Sequence, residues 1–237
     1  MMRTLAGLLA LAAVAIAAPA QAADINLTTE EYKPFNYTDG DKIVGFGAEQ
    51  VFEIMNRAGL TYEVEMAQWS RAIGLAEREA NYCVFTAAHT EERDPKFLWV
   101  EPLNVDRTLL IKMAGTDVNP ASIDDAKAYT VGTQSQDYTE SLLQQQGFPK
   151  IDAAKDMETT LKKLEAGRID LVAVSEAFYK GLKQRGIDVE TAVVLSETVL
   201  SMACNPGTDA ANVKKMQDAL KSMIDDGTQE KILAKYQ

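Results

Sequence analysis

The residues best suited to chemistry gather in one stretch, Asn81-Tyr-Cys-Val-Phe-Thr-Ala-Ala-His-Thr-Glu-Glu-Arg-Asp94. Tyr82 to Ala88, with Thr86 inside it, has the length and apolar character of a buried parallel strand. Thr90-x-x-Arg93 follows, with Glu91 and Glu92 where the first turn of a helix favours acids. A strand leading directly into a helix start aims free backbone N–H groups into the crevice beyond the strand's carboxyl end. Arg93, one step past that mouth, adds a permanent charge whose forked donors match a carboxylate. This reads as the anion-holding corner of a ligand cleft. The plainer alternative is a surface Arg93 paired with Glu91 or Glu92, and the surrounding elements must decide between them.

Other chemistry is thinly supplied. His89 is the single histidine and has no positioned serine or cysteine beside it, so it makes a poor catalyst. The acids are unclustered, which leaves no metal-ligand spacing; no metal, no cofactor and no catalytic residue are expected. Cys83 and Cys204 lie far apart in sequence, each in an apolar, strand-like run. They bridge if those strands are neighbours and are otherwise two small core residues.

The elements that must position Arg93 follow an α/β order. Ile25 to Thr28 is a strand, Pro34 fixes the loop after it, and Asp39-Gly40 signals a tight turn. Ala48, Val51, Phe52 and Met55 keep helical spacing up to a stop at Gly59. Thr61 to Met66 alternates as a strand, Trp69 falls in the next loop, and Ser70 caps the helix that precedes the opening stretch. Phe97 to Leu103 and Thr108 to Met113 are extended and read as a crossing. Beyond them the pattern restarts, with strands at 130–133, 150–153 and 170–174 alternating with helices that end at Gly147, Gly167 and Gly186. Val193 to Leu195 and Val199 to Cys204 are extended again, and two helices close the chain. Two α/β units without a long linker imply two lobes, the second inserted into the first.

At the amino end, Arg3, the apolar run Leu5 to Ala18 and the small-x-small triplet Ala20-Gln21-Ala22 read as an export signal cleaved after Ala22. That run falls short of the ~20 residues a spanning helix needs. The formal charge is −11, or −12 once Arg3 leaves with the leader. Such an acidic chain repels phosphate, so nucleic acid is not an expected partner.

The ordered set Tyr32-x-Pro34-Phe35, Val44-Gly45-Phe46, Trp69, Thr90-x-x-Arg93, Val131-Gly132, Ala166-Gly167-Arg168-Ile169-Asp170 and Asp226-Gly227-Thr228 resembles the periplasmic solute-binding proteins of polar amino-acid ABC importers. The resemblance runs through essentially the whole mature chain. It implies a two-lobed periplasmic binding protein fold, each lobe a mostly parallel sheet flanked by helices and joined by two crossing strands. Residues 23–106 and 196–237 would form lobe 1, and 107–195 lobe 2. The implied function is capture of a small carboxylate-bearing, amino-acid-like solute by a monomer, closing by hinge motion and handing it to a membrane permease. The matched positions give Tyr32 and Trp69 as ligand-stacking aromatics and Arg93 as the carboxylate holder. The turn Thr133 to Gln136 would supply donors, Ser135 foremost, and Thr86 joins the set. One position departs from the pattern. Where amino-acid binders usually carry an ammonium-pairing aspartate, this chain has Ser175, and serine cannot neutralise a buried cation. Glu176, Glu31 or Glu30 would then take that role, or the ligand is not an ordinary α-amino acid. Glu30 and Glu31 themselves read as solvated. An exported dehydratase acting on a cyclic carboxylate, with Glu176 or Glu31 as acid or base, and a ligand-sensing module for a receptor are the competing functions.

Overall fold

The computed structural model describes residues 23–236, so the export signal read at 1–22 lies outside the described residues. Ten strands and eight α-helices alternate along it. Strand β1 (Ile25–Thr29) pairs in parallel with β4 (Tyr62–Met66) and β5 (Tyr82–Ala88), while β2 (Tyr37–Asp39) and β3 (Lys42–Val44) form a separate hairpin around the Asp39-Gly40 turn. Helices α1 (Phe46–Ala58) and α2 (Trp69–Arg78) cover this half. In the other half, β7 (Val131–Gln134) pairs in parallel with β8 (Ile151–Ala154) and β9 (Leu171–Ser175). Helices α3 (Ile123–Ala126), α4 (Tyr138–Gln145), α5 (Met157–Glu165) and α6 (Glu176–Gln184) connect its strands.

The two extended pairs expected as a crossing are two single strands of 16 residues, β6 (Leu98–Met113) and β10 (Val189–Cys204). They run antiparallel to each other and belong to both halves, so the hydrogen-bonded order is continuous: β4-β1-β5-β10-β6-β9-β7-β8. Apolar patterning cannot show this, because a strand shared by two cores runs partly exposed between them and reads as two separate pieces. Around Asn104 to Arg107 and Ser196 to Val199 the strands are partly exposed, and Val105 and Val194 stand open to solvent. The chain then returns through α7 (Ala210–Asp225) and α8 (Thr228–Ala234), whose Met216, Leu220, Met223 and Ile232 join the core of β1, β5 and α1.

The helix ends follow the sequence signals. Asp137, Asp156 and Ser175 each accept a backbone N–H of the first turn with their side chains, capping α4, α5 and α6. Gly59 closes α1 in the left-handed conformation that a Cβ disfavours. Gly45, at φ 113, lets the α1 start lie against the Pro34 and Phe35 carbonyls, where any Cβ would strike the Phe35 oxygen.

Two local expectations are corrected, and the open cysteine alternative is settled. Trp69 is not in a loop; it is the first residue of α2, and Gln68, not Ser70, occupies the cap position without a side-chain bond. Thr90 to Arg93 does not start an α-helix. It forms a turn, with the Arg93 and Asp94 N–H groups on the Thr90 carbonyl, followed by a single 3-10 turn at Asp94–Lys96. Pro95 explains this, since it has no N–H to bond the Glu91 carbonyl and so cannot continue an α-helix begun at Thr90, and β6 begins three residues later. The cysteines are bridged: Cys83 and Cys204 face each other in register on β5 and β10, fully buried, with an S–S distance of 2.05 Å.

Candidate functional site

The carboxyl ends of β1 and β5 in one lobe face β7, β9 and the starts of α4 and α6 in the other, and the expected residues meet along this seam. Tyr32, Trp69, Thr86 and Ser175 line one enclosed cavity of about 40 Å³, together with Glu30, Gln134, Asp137 and Tyr138. That is space for about one water, far below the ~300 Å³ at the low end of small-molecule sites. The lobes are therefore closed on each other.

Thr86 reaches the cavity through a defect in its strand. Between Phe85 opposite Met202 and Ala87 opposite Ser201 the pairing slips, leaving Thr86 as an extra residue at φ 61. A β-branched residue in that conformation is strained, and such bulges re-aim side chains next to functional sites. Its hydroxyl donates to Asn36 Oδ1 at 3.0 Å.

Tyr32 stacks on Phe178 of the opposite lobe, ring centroids 4.5 Å apart and nearly coplanar in tilt at 2°. Its hydroxyl accepts the Ser175 N–H at 3.1 Å and lies 3.4 Å from Ser175 Oγ. Ser175 thus has two tasks, since its Oγ also accepts the Phe178 N–H as the cap of α6. Trp69 is buried, and its indole N–H donates to the Gln136 carbonyl at 2.9 Å.

Arg93 is only 7% exposed, and that number decides its reading. Its guanidinium lies 5.3 Å from the Trp69 ring and donates to two backbone carbonyls, Gln136 at 3.0 Å and Ala88 at 3.4 Å. Among the described residues no carboxylate lies within ion-pairing distance of it, so the surface pair with Glu91 or Glu92 is not formed. Burial works against its charge, partly offset by Asp137 and Glu92 nearby. A buried cation served only by carbonyls is costly and has donors to spare for an anion. Arg93 does not touch the small cavity; it faces a larger groove of about 1250 Å³ at the mouth of the seam, and Tyr138 lines both spaces.

The remaining candidates separate. Glu31 is exposed, its carboxylate held by the Thr38 N–H and hydroxyl, away from the seam. Ser135 lines neither space, and its neighbours Gln134 and Gln136 make the cross-lobe contacts instead. Strand alternation explains the exchange, because Gln134 is the last residue of β7 and Gln136 takes a left-handed backbone at φ 62. Glu176 points to Arg107, which grips it with two bonds of 2.6 and 2.7 Å and holds its carboxyl down to about 2. Glu30, expected in solvent, turns inward. Its Oε2 accepts from Gln134 Nε2 at 2.6 Å, and burial pushes its carboxyl up to about 8. His89 is clasped between Glu101 at 2.7 Å and Asp94 at 2.8 Å, bracing the turn that carries Arg93.

The profile of the bacterial extracellular solute-binding proteins, family 3, matches residues 25–237. The chain belongs to that family. The family's description and the named relatives are those of binding proteins, and this chain is a binding protein rather than an enzyme. It is 23% identical over 218 residues to the arginine-binding extracellular protein ArtP of Bacillus subtilis, covering 88% of this chain and 84% of the relative. With the L-cystine-binding protein TcyA of the same species it shares 26% over 219 residues, covering 88% and 79%. The arginine-, lysine-, histidine-binding protein ArtJ of Geobacillus stearothermophilus superposes with a TM-score of 0.81 at 20% identity, covering 90% of this chain and 94% of that one, a likeness of fold. Among the described residues, no helix is long and apolar enough to cross a membrane, and no group of three or more His, Cys, Asp or Glu could hold a metal ion.

Proposed function

We propose that this chain captures a small carboxylate-bearing, amino-acid-like solute between its lobes in the periplasm and delivers it to an ABC permease. The observation that carries the reading is Arg93: a buried guanidinium beside an aromatic ring, at the seam between lobes, with only carbonyl oxygens as partners. The solute's carboxylate takes its free donors, as a charge-assisted and bidentate pair. Tyr32 and Trp69 supply apolar walls, while Thr86 and Ser175 supply hydroxyls. The division into 23–106 with 196–237 and 107–195 is part of the proposal, with the hinge where β6 and β10 are least buried. So are the monomeric state and export by a leader cleaved after Ala22.

The relatives that bind arginine or cystine support an amino-acid-like solute. The dehydratase reading is not favoured, because Glu176 is locked ionised against Arg107 and Glu31 faces solvent on Thr38. A thermal-shift panel of amino acids, dicarboxylates and cyclic acids tests the proposal. One chemical class should stabilise the protein, since ligand bound only to the folded state raises stability by mass action. Stabilisation by none of them, or consumption of the stabilising compound, would overturn it.

A further inference from the structure

We propose that Glu30 is the residue that meets the ligand's cationic group, and that it gives up a proton as that cation arrives. The inference rests on the proposed function, in which Arg93 holds the carboxylate end.

The cavity wall carries two acids, Glu30 and Asp137. Asp137 is committed to the start of α4, where Oδ1 accepts both the N–H and the hydroxyl of Thr139. Glu30 caps nothing. Its hydrogen-bond partner is Gln134, itself 2% exposed and on the opposite lobe. A side-chain amide is a neutral partner, so it satisfies one oxygen without supplying a counter-charge. No lysine, arginine or histidine among the described residues lies within ion-pairing distance of Glu30. Glu176 and Glu31 are engaged elsewhere, and Ser175 carries no charge. A solute with both a carboxylate and an ammonium or guanidinium therefore finds one acid free to neutralise it.

The surroundings decide the proton state. Burial raises the Glu30 carboxyl most, and Asp137 and Asp156 from the starts of α4 and α5 add to it; Gln134 and Arg93 pull the other way. The carboxyl stands at about 8 and is protonated at neutral pH. A cation drawn against it favours the ionised form. The proton leaves to solvent as the pair forms, so binding and deprotonation are linked.

The experiment uses the mature full chain with L-arginine, L-lysine and L-glutamine as probes, titrated calorimetrically in buffers of different ionisation enthalpy. The expected result at pH 6.5 is release of close to one proton per probe bound. Affinity should rise with pH up to 8 by as much as about tenfold per unit. Glu30→Gln should abolish the proton release and flatten that slope, weakening binding about tenfold or more at pH 8. Glu31→Gln, one residue along but outside the seam, should behave as the unaltered chain. Infrared spectra without probe should show a protonated carboxyl band at pH 6.5 that Glu30→Gln removes. Binding with no proton release, or release lost in Asp137→Asn and kept in Glu30→Gln, would overturn the assignment and leave the proposed function standing. Failure of every probe to bind would overturn both.

Discussion

Tyr32 and Ser175 join the two lobes directly: the Ser175 N–H donates to the phenolic oxygen at 3.1 Å, and the two hydroxyls lie 3.4 Å apart. The contact ties the loop after β1 to the start of α6, 143 residues away. Tyr32→Phe keeps the stack on Phe178 and removes only these bonds. It should cost about 1 kcal/mol of closed-state stability. Small-angle scattering without ligand should show a larger radius of gyration than the unaltered protein. An unchanged radius would mean that other contacts alone hold the lobes together.

The Cys83–Cys204 bridge closes a loop with a separation of 121 residues. Chain-entropy arguments assign such a loop on the order of 4–5 kcal/mol, with measured values usually nearer 2–4. Cys83→Ser with Cys204→Ser should lower the urea midpoint accordingly under oxidising conditions. Dithiothreitol should then have no further effect on the variant. A midpoint unchanged by the double substitution would show that the β5–β10 pairing is sufficient by itself.

Glu30 also makes stability depend on pH. An unfolded glutamate titrates near 4.5 and the folded one near 8, so between those values the folded chain holds the extra proton. Stability of the ligand-free protein should therefore fall as pH rises across that window, by a few kcal/mol at most. His89 acts in the same direction. Burial opposes its charge, but bonds to Glu101 and Asp94 raise its affinity for a proton, so its contribution is lost as pH rises past its folded value. Glu30→Gln should remove the first part and leave the second, as urea melts at pH 5, 6.5 and 8 would show.

Most elements were legible because they are locally determined. Tyr82 to Ala88 and the Gly59 stop fall where apolar spacing and glycine's left-handed backbone put them. The misreadings come from contacts that are distant in sequence, some of them across the seam. Trp69 reads as a loop residue from spacing alone, but it packs in its own lobe's core with Ala72, Val84 and Phe97, and only its indole N–H reaches across the seam to Gln136. Glu30 and Glu31 are adjacent and chemically alike, and only the position of Gln134 makes one inward and the other outward. Within the Thr133 to Gln136 turn the sequence puts Ser135 ahead of Gln134 and Gln136, since a glutamine side chain or a carbonyl signals little until the fold aims it. Thr86 shows its role only through a bulge that β10 imposes on β5.

The claim that Arg93 is the anion anchor is tested most directly by calorimetric titration of the mature chain and of Arg93→Ala with the solute that gives the largest thermal shift. The account predicts one site per chain in the unaltered protein and a loss of about 2–5 kcal/mol of binding in the variant, with the circular dichroism spectrum unchanged. Equal affinity in the two proteins would contradict it.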